Sequence, residues 1–219
     1  LFRSIVLTGV LVSCVGSTLK MVATDSYRLA VSETELDSPC PEEFEAVIAG
    51  SFLQDIASLP QSEDPITLAL NDNQIVVTYR DTTFINRRIE GTFPNYKQLI
   101  AEGHSTRATL STHALTDAVR RVSLLSNKVS PVQVRVDAES GVVTLLTNSQ
   151  DIGNAQENLI CAVDGESVDI AFNFTFMLDG LNSIDTDAVH LDLFGPMKPG
   201  ILRAAEGENF LYLIMPVRV

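Results

Sequence analysis

Residues 52–70 read FLQDIASLPQSEDPITLAL, and residues 177–195 read MLDGLNSIDTDAVHLDLFG. The two stretches share one pattern. Leu53, Ile56, Leu59, Ile66 and Leu68 recur 125 positions later as Leu178, Leu181, Ile184, Leu191 and Leu193. In each copy three apolar residues stand at helical spacing, and a strand-like alternation follows a short polar connection. An offset kept across two kinds of element marks an internal repeat. The chain therefore carries two similar modules, and the question becomes what needs the same module twice.

Outward from the first stretch, Val10–Val12 and Leu19–Thr24 read as strands of a hairpin about Gly16 and Ser17. Tyr27–Val31 is a third short strand, and Asp37–Pro41 is a loop, because its two prolines exclude regular structure. Ala46–Ala49 is strand-like, and Ser51 is placed to cap a helix that Pro60 stops. Ile66–Leu70, Gln74–Tyr79 and Thr83–Glu90 are strands, with a turn at Asn71-Asp72-Asn73. A bend at Gly91–Tyr96 opens a linker that runs to about Thr106.

Outward from the second stretch, Arg107–Leu110 reads as a strand and a helix runs from Ser111 to about Asn127. Leu115, Ala118, Val119, Val122 and Leu125 form its buried stripe. Val132–Val136 and Val142–Thr147 make a hairpin about Ser140 and Gly141, and Asn158–Val163 and Val168–Phe172 are strands. Asn173 caps a helix with the stripe Phe174, Met177, Leu178, Leu181 and Ile184. Val189–Phe194, Ile201–Ala205 and Phe210–Pro216 are the closing strands.

The second copy thus opens with a strand and a helix that the first lacks. Shifted by the offset, that helix would end near residue 2, where the chain starts. The expectation is an α+β chain of two consecutive modules: residues 1–103, truncated at the N-terminus, and residues 104–219, complete. The alternative, a first module built without the helix, would leave part of a sheet uncovered.

At 219 residues, with 45% hydrophobic and 20% charged residues, the composition is that of a globular chain of two ordinary domains. No apolar run reaches the roughly 18 residues of a membrane span, and no signal peptide opens the chain. Cys14, Cys40 and Cys161 are odd in number and far apart, which suits reduced thiols in a cytoplasm. The net charge of −13 counts against a conventional DNA-binding domain. It still permits a protein that surrounds DNA loosely, with its few positive charges gathered on one surface.

Chemistry-bearing motifs are missing. His104, His113 and His190 stand on different elements, and no HExxH, CxxC, GxSxG or phosphate-binding glycine motif occurs. The reading is no catalytic residue, no metal, no cofactor and no enzyme; a hydrolase on a duplicated scaffold would need converging titratable groups. Two apolar residues break the helical pattern. Phe176 lies about 200° around the helix from Phe174, since each residue turns about 100°. It is either a packing contact with a neighbouring segment or the wall of a groove. Leu124 lies about 180° from Leu115, on a face shared with Thr116, Asp117 and Arg120, and could mark a subunit contact.

The segment Val22-Ala23-Thr24-Asp25-Ser26-Tyr27-Arg28-Leu29-Ala30-Val31 closely resembles the signature of the bacterial DNA polymerase III beta subunit, the sliding-clamp family. Glu90–Tyr96, Phe172-Asn173 with Leu178-Asp179, and the terminus Tyr212–Val219 agree in order, so the resemblance spans nearly the whole chain. It implies two consecutive DNA-clamp domains, the incomplete middle one and the C-terminal one, with antiparallel sheets outside and helices on the inner face. The implied function is processivity. A homodimeric ring encircles duplex DNA without sequence specificity and tethers polymerase, clamp-loader and repair-protein peptide motifs, raising effective concentration.

By the same resemblance, a Gln-x-x-Leu-Phe-like motif would bind between the two domains. The implied pocket holds Leu7, Thr24, Ser26, Tyr27, Arg28, Leu29, Pro94 and Leu99. From the last domain it takes Asn173, Phe176, Met197, Pro199, Leu213, Ile214, Met215, Pro216, Val217 and Arg218. Leu124 and Leu125 would meet the other subunit, and Arg120, Arg121 and Lys128 would face DNA. Gln98 stands where some members carry a basic residue. Without the first domain, this piece alone is not expected to close the ring.

Overall fold

The computed structural model describes residues 5–125, 131–149, 153–207 and 209–218. Its contacts divide the chain into two units, Leu1–Asp25 with Ser32–Asn95, and Ser26–Val31 with Tyr96–Val219. Among the described residues no helix is long and apolar enough to cross a membrane.

In the first unit a 3-10 helix (Ile5–Thr8) leads into β1 (Gly9–Val15) and β2 (Thr18–Thr24), a hairpin turned at Gly16 with φ 59°. Next come β3 (Arg28–Glu35), whose later half belongs to this unit, and β4 (Phe44–Ala49). Helix α1 (Gly50–Ala57) precedes the meander β5 (Ile66–Leu70), β6 (Gln74–Tyr79) and β7 (Thr82–Arg87). The strands run β3-β2-β1-β4 in one sheet and β5-β6-β7 in the other. Alternation along β1 and β6 sends Val12, Ile75 and Val77 into one core with Ala46, Ile48 and Phe52. Ser51 does not cap α1: the helix starts two residues earlier, at Gly50, with Ala49 at the N-cap and no side-chain cap.

The second unit begins its own strands at β8 (Thr106–Ser111), followed by α2 (Thr112–Ser123). Strands β9 (Val132–Asp137), β10 (Val142–Ser149), β11 (Gly153–Ile160), β12 (Ala162–Gly165) and β13 (Val168–Phe172) come next. Helix α3 (Phe174–Leu181) and strands β14 (Ala188–Leu193), β15 (Gly200–Ala204) and β16 (Asn209–Ile214) complete it. One sheet has the order β12-β8-β14-β15-β16, with β3 beside β16; the other is β11-β10-β9-β13. The pairs β12–β8, β8–β14, β14–β15 and β15–β16, and all neighbours in the second sheet, are antiparallel. Helix α2 packs on α3 and on strands of both sheets. Its Leu115, Val119 and Val122 join Val134, Leu145, Phe172, Leu191 and Tyr212 in one core.

The repeat is visible in topology. The order β3-β2-β1-β4 matches β11-β10-β9-β13, and β5-β6-β7 matches β14-β15-β16. Strand β8 and helix α2 have no counterpart among the described residues of the first unit. Two details depart from the sequence reading. Asn158–Val163 is not one strand: the chain leaves one sheet after Ile160, paired with Val142, and enters the other at Ala162, paired with Thr109. Thr116 does not face outward with Leu124. Packing of α2 against α3 and the sheets widens its buried face, and the Thr116 hydroxyl is satisfied by donating to the Thr112 carbonyl at 2.7 Å.

A buried carboxylate ties three strands of this unit together. Asp192 on β14 is closed from solvent and accepts from Arg107 Nε at 2.6 Å and Nη2 at 2.7 Å on β8, and from Arg203 Nε at 3.2 Å on β15. The bidentate geometry and the second arginine supply the partners that a buried charge requires.

Candidate functional site

The second unit carries an aromatic and cationic cluster at the start of β3, on α3 and at the end of β16. Asn173 begins it, because its side-chain oxygen accepts from the Thr175 N–H at 2.9 Å and fixes where α3 starts. That start places Phe176 in the first turn, off the stripe that Met177 and Leu181 bury. Ser26 has φ 77°, in the left-handed region that few non-glycine residues adopt. It turns the chain just ahead of Tyr27 and Arg28. The Arg28 guanidinium carbon lies 4.5 Å from the Phe176 ring centroid, a cation–π distance. The Tyr27 and Phe176 rings stack at 6.4 Å between centroids and 29° between planes.

Two further partners fix Arg28. Its Nη1 donates to Asp179 on α3 and, at 3.2 Å, to the Tyr212 hydroxyl on β16. Glycine makes this approach possible. A Cβ at Gly180 would lie 2.4 Å from the Tyr212 ring, so only glycine lets α3 lie so close to β16. At the strand end the Met215 N–H donates to the Tyr27 carbonyl at 2.9 Å, which puts the half-exposed Met215 beside the same cluster. The result is a surface of aromatic, thioether and guanidinium groups held by hydrogen bonds, with Tyr27 largely open to solvent.

The chain then turns along β13, where the Val217 N–H donates to the Ala171 carbonyl at 2.8 Å. Beside it opens a cavity of about 410 Å³ lined by Leu146, Ile170, Pro196, Met197, Val217 and Arg218, among others. The ion pair Arg135 Nε–Asp169 Oδ1, 2.9 Å, stands on its wall. Apolar walls with a few polar groups suit an extended peptide with apolar anchors. Among the described residues no group of three potential metal ligands occurs.

The residues named from the sequence separate by environment. Tyr27, Arg28, Asn173, Phe176 and Met215 build the cluster. Met197, Val217 and Arg218 line the cavity. Leu29, Leu213 and Ile214 are buried in the fold, so they support the surface from below, and Pro199 and Pro216 are half-buried. Leu99 is exposed on the 3-10 helix Tyr96–Leu99. Leu7, Thr24 and Pro94 belong to the first unit: half-buried in its 3-10 helix, half-buried at the end of β2, and exposed.

On α2, Leu124 is 79% exposed and Leu125 half-buried. Arg120 donates to the Asn182 side chain at 3.1 Å. Arg121 grips Glu157 with two nitrogens, Nη2 at 2.7 Å, and this pairing holds the Glu157 carboxyl below its usual range and raises the guanidinium. Lys128 lies outside the described residues. The cavity residues Gln133, Arg135 and Asp169 were missed, although alternation along VQVRVD sets Gln133 and Arg135 on the face opposite the core valines.

Comparison with known proteins gives a consistent result. The family profile "DNA polymerase III beta subunit, central domain" matches residues 3–95, and "DNA polymerase III beta subunit, C-terminal domain" matches residues 97–218. The chain is 32% identical over 232 residues to a beta sliding clamp of Synechocystis, covering 98% of this chain and 59% of that protein. It is 34% identical over 228 residues to a beta sliding clamp of Streptomyces coelicolor, covering 98% and 60%. A DNA polymerase sliding clamp from Bacillus subtilis superposes with a TM-score of 0.95 at 26% identity, over 100% of this chain and 58% of that one. The chain thus spans less than two thirds of the length of these relatives.

Proposed function

The chain belongs to the DNA polymerase III beta-subunit family, and from that premise we propose that it is part of a sliding clamp that binds short linear motifs of DNA enzymes on the Phe176 surface. The observation that carries this is the cluster in which Tyr27 and Arg28 meet Phe176 and Met215 is tied to Tyr27, together with the cavity beside Met197 and Val217. A motif with apolar anchors buries them against the aromatic and thioether groups. Met215, Val217 and Arg218 are exposed and can contact an extended chain laid beside them. Polymerase, clamp-loader and repair proteins are the partners proposed.

Tethering replaces dissociation by sliding, so the gain is local concentration and no reaction step is needed. The proposed assembly is the whole protein closed as a homodimeric ring around duplex DNA in the cytoplasm, with the ring contact made at Leu124 and Leu125. The high exposure of Leu124, and of Ile160 on β11, supports an apolar contact there. Arg120 and Arg121 are the proposed DNA-facing groups. Arg120 is positioned by its hydrogen bond to Asn182, and the Glu157 carboxylate offsets part of the charge of Arg121.

A fluorescently labelled Gln-x-x-Leu-Phe-like peptide tests the reading by anisotropy. Saturable binding is expected, with at least a roughly tenfold loss in Phe176→Ala and in Met215→Ala, the range of an anchor residue. Variants are first checked for folding by circular dichroism. No saturable binding by the folded protein, or affinity unchanged in both variants, overturns it.

A further inference from the structure

Two of the three cysteines meet in the first unit. Cys14 lies on β1 and is 1% exposed. Cys40 lies in the loop between β3 and β4, flanked by Pro39 and Pro41. Among residues 34–43 it is the one that turns away from solvent, while the other nine are exposed. The loop is pinned by backbone: the Cys40 N–H donates to the Gly16 carbonyl at 2.8 Å, and the Leu36 N–H to the Ser17 carbonyl at 2.8 Å. The Cys14 Sγ lies 3.9 Å from the same Gly16 oxygen, so one carbonyl gathers the Cys14 thiol and the Cys40 backbone. Both are free thiols.

We propose that Cys14 and Cys40 are a modification site, at which a hydroperoxide converts the pair into an intramolecular disulfide that staples the β3–β4 loop to the β1–β2 turn. Cys40 is the point of entry, since it is only half-buried and its loop is open to solvent. Its thiolate sulfur attacks one oxygen of hydrogen peroxide. The O–O bond breaks, and hydroxide leaves and takes up the thiol proton as water, so Cys40 becomes a sulfenic acid. The Cys14 sulfur then attacks that sulfur. The S–S bond forms as the S–O bond breaks, and the hydroxyl departs as a second water with the Cys14 proton. Each sulfur gives up one electron and the peroxide takes two, so two thiols and one hydrogen peroxide yield one disulfide and two waters.

The roles differ for a physical reason. Burial, helped by contact with Cys40, pushes the Cys14 thiol up to about 11, so it stays protonated and out of reach of free peroxide. Its place against Cys40 suits it to resolve the sulfenic acid. Cys161, in the other unit and raised by burial, serves as an internal reference. A link between residues 14 and 40 closes a long loop, which stabilises the fold mainly by restricting the unfolded chain.

The test treats the fully reduced protein with hydrogen peroxide, alkylates what remains, and reads intact mass and peptide map. The expected result is an intramolecular loss of two hydrogens, a linked peptide joining Cys14 to Cys40, and return of both thiols on adding dithiothreitol. The first unit of the oxidised protein should melt several degrees higher, roughly 5 °C or more. Cys40→Ser lies in an exposed loop and leaves the core intact; in it Cys14 stays reduced and peroxide leaves the melting temperature unchanged. Over-oxidation of Cys40 with Cys14 still a thiol, a disulfide between two molecules, or no reaction at either cysteine would overturn the proposal.

Discussion

Ile66 in the first unit and Leu191 in the second hold the same place in the repeat, yet Ile66 is 52% exposed and Leu191 is 1% exposed. The strand orders match, so the difference lies in what covers the meander. In the second unit β8 pairs with β14 along its length, and α2 packs over the core. In the first unit β5 lies at the edge of its sheet, and no described element takes the place of β8 and α2. One chain pattern thus reaches two levels of burial, and the level is set by neighbours in space. The candidate site stands on the better-covered copy, which suits a surface that must hold Phe176 and Arg28 in fixed geometry.

The sharpest way to break the comparison is to cut the same position in both copies. Leu191→Ala should cost about 3 kcal/mol of stability in the second unit, because it opens a cavity in a closed core. Ile66→Ala should cost under about 1 kcal/mol, as at a surface position. Urea unfolding of each variant, followed by unit-resolved hydrogen exchange, checks the pair; equal costs would mean the two cores are equally closed. Next in size is Gly180→Ala, expected to cost about 1–3 kcal/mol because its Cβ meets the Tyr212 ring at 2.4 Å. Asp55→Ala at the equivalent, exposed place in α1 should be nearly neutral. If both leave the melting curve unmoved, α3 and β16 are not closely packed.

Capping gives a smaller contrast of opposite sign. Asn173→Ala should cost about 1 kcal/mol, since Thr175 loses its acceptor. Ala49→Asn should add up to about 1 kcal/mol, because α1 has no side-chain cap. Melting temperatures moving the same way in both would refute the assignment of the caps. The smallest effect is one of pH. Burial first, and Arg107 second, hold His190 below its ordinary value. The folded protein then binds this proton less readily than the unfolded chain. The stability it contributes is present above pH about 6.5 and fades as pH falls through the lower folded value. His190→Gln should flatten the stability curve of the second unit below about pH 6.5; an unchanged slope would place the acid sensitivity elsewhere.

Much of this was legible in the sequence because it rests on local chemistry. Asn173 ahead of an apolar stripe announced its helix, Gly16-Ser17 announced its hairpin, and the off-stripe position of Phe176 set it apart before any neighbour was known. What escaped depends on distant partners. Nothing local at Cys161 shows that the chain changes sheets there, since Leu159–Val163 is an unbroken apolar run. Thr116 looks outward by periodicity and is buried only because α3 and the sheets enclose α2. Ser51 is a better capping residue than Ala49, and the strand that ends at Ala49 overrode it. The proximity of Cys14 and Cys40 had no sequence signal at all, because a loop of two prolines brings them together.

The most direct measurement is a hydrogen-exchange footprint of the protein with and without saturating Gln-x-x-Leu-Phe-like peptide. Slower exchange is predicted at residues 26–28, 173–177 and 215–218, with β7 unchanged. Protection confined to other segments, or none with the peptide bound, would contradict a motif site built around Phe176.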